Sequence, residues 1–192
     1  MNNNVLLLDN NDSFTYNIVD MIRKISSVNM CVVKTSDINQ SEIEKFSKII
    51  ISPGPGLPEN FPNLMRIIKS FAGITPILGI CLGHQAIAKF LDANLKQISP
   101  VIHGQAHTIK VIKPSPLFIN IPSNFKVGLY HSWAVNFDNI PEQINITSIS
   151  KNNTIMSIEN REQKLFGVQF HPESHMTEFG DRLIKNFINS DL

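Results

Sequence analysis

A short apolar segment that leads directly into a glycine-flanked cysteine constrains the fold of this chain more than any other feature. Residues 76–80 are typical of a buried strand, residues 83–91 have the apolar spacing of a helix, and only two residues separate them. Gly79 and Gly83 flank Cys81, as a tight strand-to-helix turn with a nucleophile at its tip requires. Such a turn places the thiol beside the first N–H groups of a helix, where the dipole favours the thiolate. The segment predicts an α/β fold with a reactive cysteine; the two glycines argue against the alternative of a buried structural cysteine.

The order of the other predicted elements indicates one α/β domain over residues 1–192. Before the cysteine, apolar strands alternate with helices, which is typical of a parallel sheet covered on both faces. The predicted strands there are 5–8, 30–33, 48–52 and 76–80, and the predicted helices are one capped by Asp12 or Ser13, then 41–46, 63–71 and 83–91. Later strands are separated by turn signals that favour antiparallel pairing, at 98–103, 108–112, 125–130, 144–150, 154–159 and 165–170, before a last helix from Thr177. We expect an open, mostly parallel sheet with helices on both faces, plus a small antiparallel sheet.

Composition excludes several classes of protein. With 17 basic and 16 acidic residues the net charge is +1, which gives no electrostatic reason to expect a nucleic acid or a membrane as partner. No apolar run is long enough to cross a bilayer, and the N-terminus lacks the basic and apolar regions of a signal peptide. Cys31 and Cys81 do not suggest a disulfide framework, so we expect a cytoplasmic protein in which Cys31 is buried in its strand.

A thiol nucleophile needs a base, and the base needs a group that orients it. Residues 167–174 supply both after another predicted strand, because Pro172 fixes the backbone between His171 and Glu173. Alone, this His-Pro-Glu sequence is more often an ordinary turn than a catalytic pair. Together with Cys81 it predicts a catalytic group at the carboxyl edge of the sheet, where open α/β sheets place their sites.

A third cluster, residues 52–58, alternates prolines and glycines after a strand. Its backbone amides are free to face a ligand, and the amide of Gly54 with that of Leu82 could form an oxyanion hole. An ordinary Pro/Gly turn is the alternative for this segment taken alone.

These motifs together resemble the class I (triad) glutamine amidotransferases. Within that family the chain is most similar to the branch that serves anthranilate synthase and aminodeoxychorismate synthase. The most specific match is the D-N-x-D-S-F-T-Y-N segment at residues 9–17, which other triad amidotransferases do not usually share. The matching segments are 9–17, 52–58, 78–85, 103–104, 130–132 and 166–174, which cover essentially the whole chain in order.

The resemblance implies a role for each matching residue. Cys81 would be the nucleophile, His171 its base and then the acid that protonates ammonia, and Glu173 the group that orients the imidazole. The backbone amides of Gly54 and Leu82 would form the oxyanion hole. Substrate glutamine would be bound by Gly54, Pro55, Gly56, Gln85, Ser132 and Trp133.

The family also implies a reaction and a partner. L-Glutamine would be hydrolysed to glutamate through a γ-glutamyl thioester, and ammonia would pass to a chorismate-using synthase subunit. No metal or organic cofactor is expected on this chain, whereas the synthase subunit is expected to use Mg²⁺. We favour anthranilate, for tryptophan, as the product. Aminodeoxychorismate for folate, another triad amidotransferase such as the GMP-synthesis type, a stand-alone γ-glutamyl hydrolase and a non-catalytic flavodoxin-like binding protein are the alternatives.

Several residues depart from the family pattern or lack a clear role. Leu129 stands where relatives often have Arg, Trp133 where an aliphatic residue is commoner, and Gln105 where many have Lys. We expect His84 and His131 to be structural, with His131 holding the loop of Ser132. The remaining histidines, at 103, 107 and 175, lack the spacing of metal ligands. The polar run in residues 9–17 indicates either a capped helix start, or a partner surface or loop network.

Overall fold

Residues 4–190 form one nine-stranded sheet with four α-helices. The computed structural model describes residues 4–190. The prediction that the N-terminus is not a signal peptide concerns residues that lie mostly outside this range. The strands are β1 (Asn4–Asp9), β2 (Asn29–Lys34), β3 (Lys48–Ile51), β4 (Ile77–Ile80), β5 (Leu95–Val111), β6 (Asn124–Val135), β7 (Asn145–Ser150), β8 (Ile155–Asn160) and β9 (Leu165–Val168). The helices are α1 (Thr15–Ile25), α2 (Pro62–Phe71), α3 (Leu82–Phe90) and α4 (Gly180–Asn189), with short 3₁₀ turns at Gln40–Glu42, Pro58–Asn60 and Pro116–Phe118.

The sheet changes from parallel to antiparallel pairing along its width. Its strand order is β2-β1-β3-β4-β9-β8-β7-β5-β6. The first five strands in this order, β2, β1, β3, β4 and β9, pair in parallel. Every later pair, from β9–β8 to β5–β6, is antiparallel. The predicted open α/β sheet is confirmed, with the antiparallel strands extending the parallel sheet itself. The prediction of a single domain over residues 1–192 stays a prediction.

Helices cover the parallel part on both faces, as expected from its uninterrupted apolar strands. Every residue of β3, β4 and β9 is buried. Because side chains alternate across a strand, Val5 and Leu7 of β1 join the core under α1 and α4, whereas Leu6 and Leu8 join the core under α2 and α3. Each fully buried aliphatic side chain contributes roughly 1.5–3 kcal/mol, so these two layers hold the carboxyl ends of the strands in place.

The structure corrects several element boundaries. The strands predicted at 98–103 and 108–112 form one strand, β5, whose pairing with β6 shifts register between Gln97 and Ile102 and between His103 and Gln105. The helix predicted at 41–46 is only the short 3₁₀ turn described above. Helix α1 begins at Thr15 without a side-chain cap, because the Asp12 carboxylate accepts from the backbone of Phe14 instead.

The last helix and Cys31 also differ from expectation. Helix α4 begins at Gly180 and not at Thr177, and a Cβ at Gly180 would lie 1.9 Å from the carbonyl oxygen of Pro172. The expectation that Cys31 is buried is wrong: β2 is an edge strand of the described sheet, and the thiol is exposed. None of the helices within residues 4–190 has the length and apolarity needed to cross a membrane.

Candidate active site

Cys81 lies at the turn between β4 and α3, as the glycine pattern predicts. Its backbone has φ 51° and ψ −98°, a conformation that residues other than glycine rarely adopt. A Cβ at Gly79 would lie 2.3 Å from the backbone of Gly83, and one at Gly83 would lie 2.8 Å from the side chain of Ile51. Both glycines are therefore required by close packing, and the strained turn holds the thiol at the carboxyl edge of the sheet.

His171 and Glu173 follow β9, the strand next to β4. The Nδ1 atom of His171 and Oε1 of Glu173 are 2.7 Å apart, and both side chains are buried. The backbone of His171 is fixed on both sides: its N–H donates to the carbonyl of Gly128 at 3.1 Å, and its carbonyl accepts from the hydroxyl of Thr177 at 2.6 Å. These contacts fix the backbone of His171 and the position of its Nδ1 atom.

The surroundings of His171 favour its protonated form. Burial acts to lower the pKa of this imidazole, but contacts with Cys81 and Glu173 outweigh it and raise the pKa to about 10. Within residues 4–190, Nε2 of His171 has no partner with the geometry of a full hydrogen bond, so the contact with the sulfur is looser than the one with the carboxylate. A cationic imidazole beside a thiol favours the nucleophilic thiolate.

A cavity of about 170 Å³ opens in front of the sulfur. It is smaller than the roughly 300–1,000 Å³ typical of sites for drug-sized ligands, and its size suits a molecule such as an amino acid. Larger clefts, one of about 440 Å³ near Lys24 and Lys185, do not include Cys81. The lining of the small cavity contains all six residues predicted to bind substrate, together with Cys81, Leu82, Tyr130 and His131. The six are Gly54, Pro55, Gly56, Gln85, Ser132 and Trp133.

Gly54 packs directly against the first residue of α3. A Cβ at Gly54 would lie 2.6 Å from Leu82 Cδ2 and 2.7 Å from Asn10 Cβ, so only glycine allows the loop to approach the helix this closely. The two residues predicted to supply oxyanion-hole amides are therefore neighbours beside Cys81.

Comparison with known proteins identifies the family. The model of the family "Glutamine amidotransferase class-I" matches residues 6–190. The chain belongs to the class-I glutamine amidotransferase family. Anthranilate synthase component 2 of Cyanidium caldarium is 39% identical over 192 residues, covering 96% of this chain and 97% of that protein. Aminodeoxychorismate/anthranilate synthase component 2 of Bacillus subtilis is 35% identical over 188 residues, covering 97% and 96%.

A solved structure of a Thermoplasma acidophilum protein named for GMP synthase has the same fold. Its TM-score is 0.86 with 23% identity, and the match covers 96% of this chain and 92% of that one. At this identity the likeness shows the fold alone.

Two glutamines of this amidotransferase form a buried chain to the sulfur. Gln169 Nε2 lies 3.5 Å from the sulfur of Cys81, and its Oε1 accepts from Gln85 Nε2 at 3.2 Å. Gln85 Nε2 also donates to the carbonyl of Trp133 at 2.9 Å. Gln169 lies within the motif of residues 167–174 but was assigned no role there. Gln169 precedes His171 by two residues, and side chains two apart in a strand face the same side, so this spacing was a signal that could have found it.

Phe14 and Tyr130 were also missed as neighbours of the imidazole. Their ring centroids lie 5.4 and 4.9 Å from that of His171, both in edge-to-face orientation. Tyr130 is further held by a 3.0 Å hydrogen bond between its hydroxyl and that of Ser174. These contacts join residues far apart in the chain, so no local pattern indicated them.

Two further histidines of this amidotransferase, His84 and His131, are buried in structural surroundings. Burial lowers the pKa of His84 to about 3, so the ring is neutral, and it packs against Gly167. Burial likewise lowers the pKa of His131, whose Nδ1 lies 2.8 Å from the carbonyl of Trp133. That contact agrees with the expected role of His131 in holding the loop of Ser132.

The three departures from the family pattern fall in different surroundings. Leu129 is fully buried and lies opposite Gln105 in the β5–β6 pair, whereas Gln105 is exposed. Trp133 is the departure that lines the cavity in front of Cys81. Of the three, only Trp133 is therefore placed to influence what binds there.

Proposed function

We propose that this chain is the glutaminase subunit that hydrolyses L-glutamine and supplies ammonia to a chorismate-using synthase subunit, with anthranilate as the product. The observation that carries the proposal is the buried His171–Glu173 pair beside the strained Cys81, at the wall of a cavity of amino-acid size. The relative from Cyanidium caldarium, named for anthranilate synthase, supports the choice of product.

In this mechanism the thiolate of Cys81 attacks the side-chain amide carbon of glutamine. The carbonyl π electrons move onto oxygen, and the backbone N–H groups of Gly54 and Leu82 stabilise that oxyanion. Electrostatic stabilisation of this kind is worth about 2.7–4 kcal/mol for one donor. The close packing of the Pro/Gly loop against the start of α3, beside Cys81, supports this assignment.

His171 carries the protons in both halves of the reaction. His171 first receives the proton of the Cys81 thiol and so becomes an imidazolium. It then gives that proton to the departing nitrogen. Ammonia leaves, and a γ-glutamyl thioester remains on Cys81. Neutral His171 then takes a proton from water, hydroxide attacks the thioester, and glutamate and the Cys81 thiolate–imidazolium pair are formed. Glu173 holds the imidazole and stabilises its positive charge throughout.

The cavity lining gives glutamine its binding contacts. The Gln85 amide nitrogen is occupied by Gln169 and Trp133, so its carbonyl oxygen is the atom we assign to the substrate. Backbone groups of Ser132 and Trp133 are assigned to the α-amino and carboxylate ends of glutamine, and Pro55 and Gly56 complete the lining. No metal or organic cofactor takes part on this chain, and we place the reaction in the cytoplasm.

Reaction of Cys81 with a glutamine-analogue electrophile tests the proposal. We expect 6-diazo-5-oxo-L-norleucine to label Cys81, glutamine to protect it, and Cys31 to remain unlabelled although it is exposed. Glutamine hydrolysis should be weak for the chain alone and rise when the synthase subunit is added. Absence of labelling with the partner present would refute the enzyme, and a full rate without partner would favour a stand-alone hydrolase.

Aminodeoxychorismate is the second candidate product. The Bacillus subtilis relative, whose name includes both products, favours it. Isolation of the synthase subunit with this chain, followed by identification of the product made from chorismate and glutamine, distinguishes the two. Formation of anthranilate alone is the result expected here.

A further inference from the structure

The segment of residues 9–14 joins β1 to α1, and the mechanism above gives it no task. We propose that it positions the catalytic machinery at two points at once: Asn10 holds the loop that carries Gly54, and Phe14 holds the ring of His171. This inference rests on the proposed function, because it assigns the segment to the same reaction.

Asn10 forms the first contact, inside a fully buried polar cluster. Its backbone N–H donates to the hydroxyl of Ser52 at 2.9 Å, and its side-chain amide donates to the carbonyl of Ser52 at 3.0 Å. Its Oδ1 accepts from the hydroxyl of Thr35 at 2.8 Å. Ser52 begins the Pro/Gly loop, and the position of a Cβ on Gly54 would be only 2.7 Å from Asn10 Cβ. Asn10 therefore supports the loop from behind, close to the amide assigned to the oxyanion.

Phe14 forms the second contact, at the base. Its ring meets His171 at 67° and Tyr130 at 50°, with centroid distances of 5.4 and 5.0 Å. Glu173 fixes Nδ1 of the imidazole, but a single hydrogen bond leaves the ring free to tilt. The two aromatic neighbours restrict that tilt and so direct Nε2 towards the sulfur.

The segment is braced internally, so its two ends are mechanically connected. The Asp9 carboxylate accepts from the backbone of Asn11 at 2.9 Å and from the hydroxyl of Thr15 at 2.8 Å. The Asp12 carboxylate accepts from the backbone of Phe14 at 2.8 Å. Asn11 adopts φ 61°, in the left-handed region that asparagine enters more readily than most residues. A displacement of this segment would reach both the oxyanion loop and the base.

Two reactions of the full-length chain separate the two contacts. Glutamine hydrolysis needs the oxyanion hole and the base, whereas alkylation of Cys81 by iodoacetamide needs only the thiolate, so its pH dependence reports on the imidazole. Alkylation is followed by mass spectrometry of the Cys81 peptide, because Cys31 is exposed and also reacts. Circular dichroism gives the folded fraction of each variant, and rates are expressed per folded chain.

Asn10→Ala should lower kcat for glutamine hydrolysis about 10–100-fold, because a displacement of about 1 Å in a catalytic group can cost this much. It should leave the pH profile of Cys81 alkylation unchanged. Phe14→Leu should move the alkylation profile to higher pH, because the thiolate loses its nearby imidazolium, and Phe14→Tyr should restore the wild-type profile. Asp9→Ala, which loosens the brace, should show both effects. Tyr16→Ala is the control: it removes an aromatic side chain that is 67% exposed, two residues after Phe14. It should change neither kcat nor the alkylation profile.

The inference is overturned if Asn10→Ala and Phe14→Leu are indistinguishable from wild type. It is also overturned if every readout falls in parallel with the loss of folded protein, since that is the behaviour of a purely structural segment. A wild-type chain that never hydrolyses glutamine would instead contradict the proposed function; the pH profiles of Phe14→Leu and Phe14→Tyr would still test the contact with the base.

Discussion

Replacing Glu173 with glutamine removes one negative charge from the candidate site and keeps the shape of the side chain. The 2.7 Å contact between Glu173 and Nδ1 of His171 is buried, so solvent cannot replace the lost charge. A hydrogen bond to a charged group contributes about 1.5–3 kcal/mol, and one pKa unit corresponds to about 1.4 kcal/mol. In Glu173→Gln the pKa of His171 should therefore fall by about one to two units from its value near 10.

The same energy sets the expected loss of rate. If the imidazolium is destabilised by about 1.5–3 kcal/mol in the transition state, kcat for glutamine hydrolysis falls by roughly 10–150-fold without vanishing. The alkaline limb of the kcat profile, where His171 loses its proton, should shift towards neutral pH by the same one to two units. The assay is glutamate release between about pH 6 and pH 10.5 in the presence of the synthase subunit.

Glu162→Gln is the matched control, since it removes the same charge from an exposed position. It should leave both the rate and the alkaline limb unchanged. An alkaline limb that does not move in Glu173→Gln would refute the reasoning, because the carboxylate would then not be the group that stabilises the imidazolium. A complete loss of activity that accompanies loss of folded protein would make Glu173 a structural residue.

Three further predictions follow from the same geometry. Cys81→Ser should abolish glutamine-dependent synthesis by the complex and spare ammonia-dependent synthesis; an equal loss of both would make Cys81 structural. Gly83→Ala should lower the free energy of unfolding by about 1–3 kcal/mol in urea titrations, because its Cβ would meet Ile51 at 2.8 Å, and an unchanged midpoint would contradict this packing. The raised pKa of His171 stabilises the fold fully below the unfolded value of about 6.5, and this contribution is lost as pH rises through about 10. As pH rises from about 6.5 to about 10, the melting temperature of wild type should therefore fall more than that of Glu173→Gln. Parallel plots of melting temperature against pH for the two proteins would contradict the assignment of the raised pKa to the contact with Glu173.

The parts of the fold that depend on local chemistry could be predicted from the sequence. Gly79 and Gly83 indicated the turn at Cys81 because the space around a Cβ is set by residues only a few positions away or on the next strand. The apolar strands of the parallel sheet were found because both of their faces are buried. Gly54 and Cys81 both line the cavity because they follow neighbouring parallel strands, whose carboxyl ends meet at one edge. Ser132 and Trp133 lie on antiparallel β6, and only the family resemblance indicated them.

The errors have a common physical origin in contacts between distant parts of the chain. Cys31 is as apolar in context as a core residue, but β2 is an edge strand, and strand order cannot be read from one segment. The long strand β5 was divided in two because its side chains are mostly exposed and its register is broken twice. Gln169 was overlooked at the site for a similar reason, since its role depends on which strand lies beside β4.

The antiparallel extension completes the site that the parallel strands begin. The carboxyl ends of β3, β4 and β9 supply the Gly54 loop, Cys81 and His171, and of these the Gly54 loop and Cys81 line the cavity. Strand β6 crosses this edge and adds residues 130–133 to the lining, and its Gly128 forms an isolated bridge with His171. A Cβ at Gly128 would lie 2.8 Å from the hydroxyl of Ser174, so glycine allows this crossing close to the base. Strand β6 contacts both the proposed base and the proposed substrate site. A displacement of β6 would therefore alter glutamine binding and the position of the imidazole together.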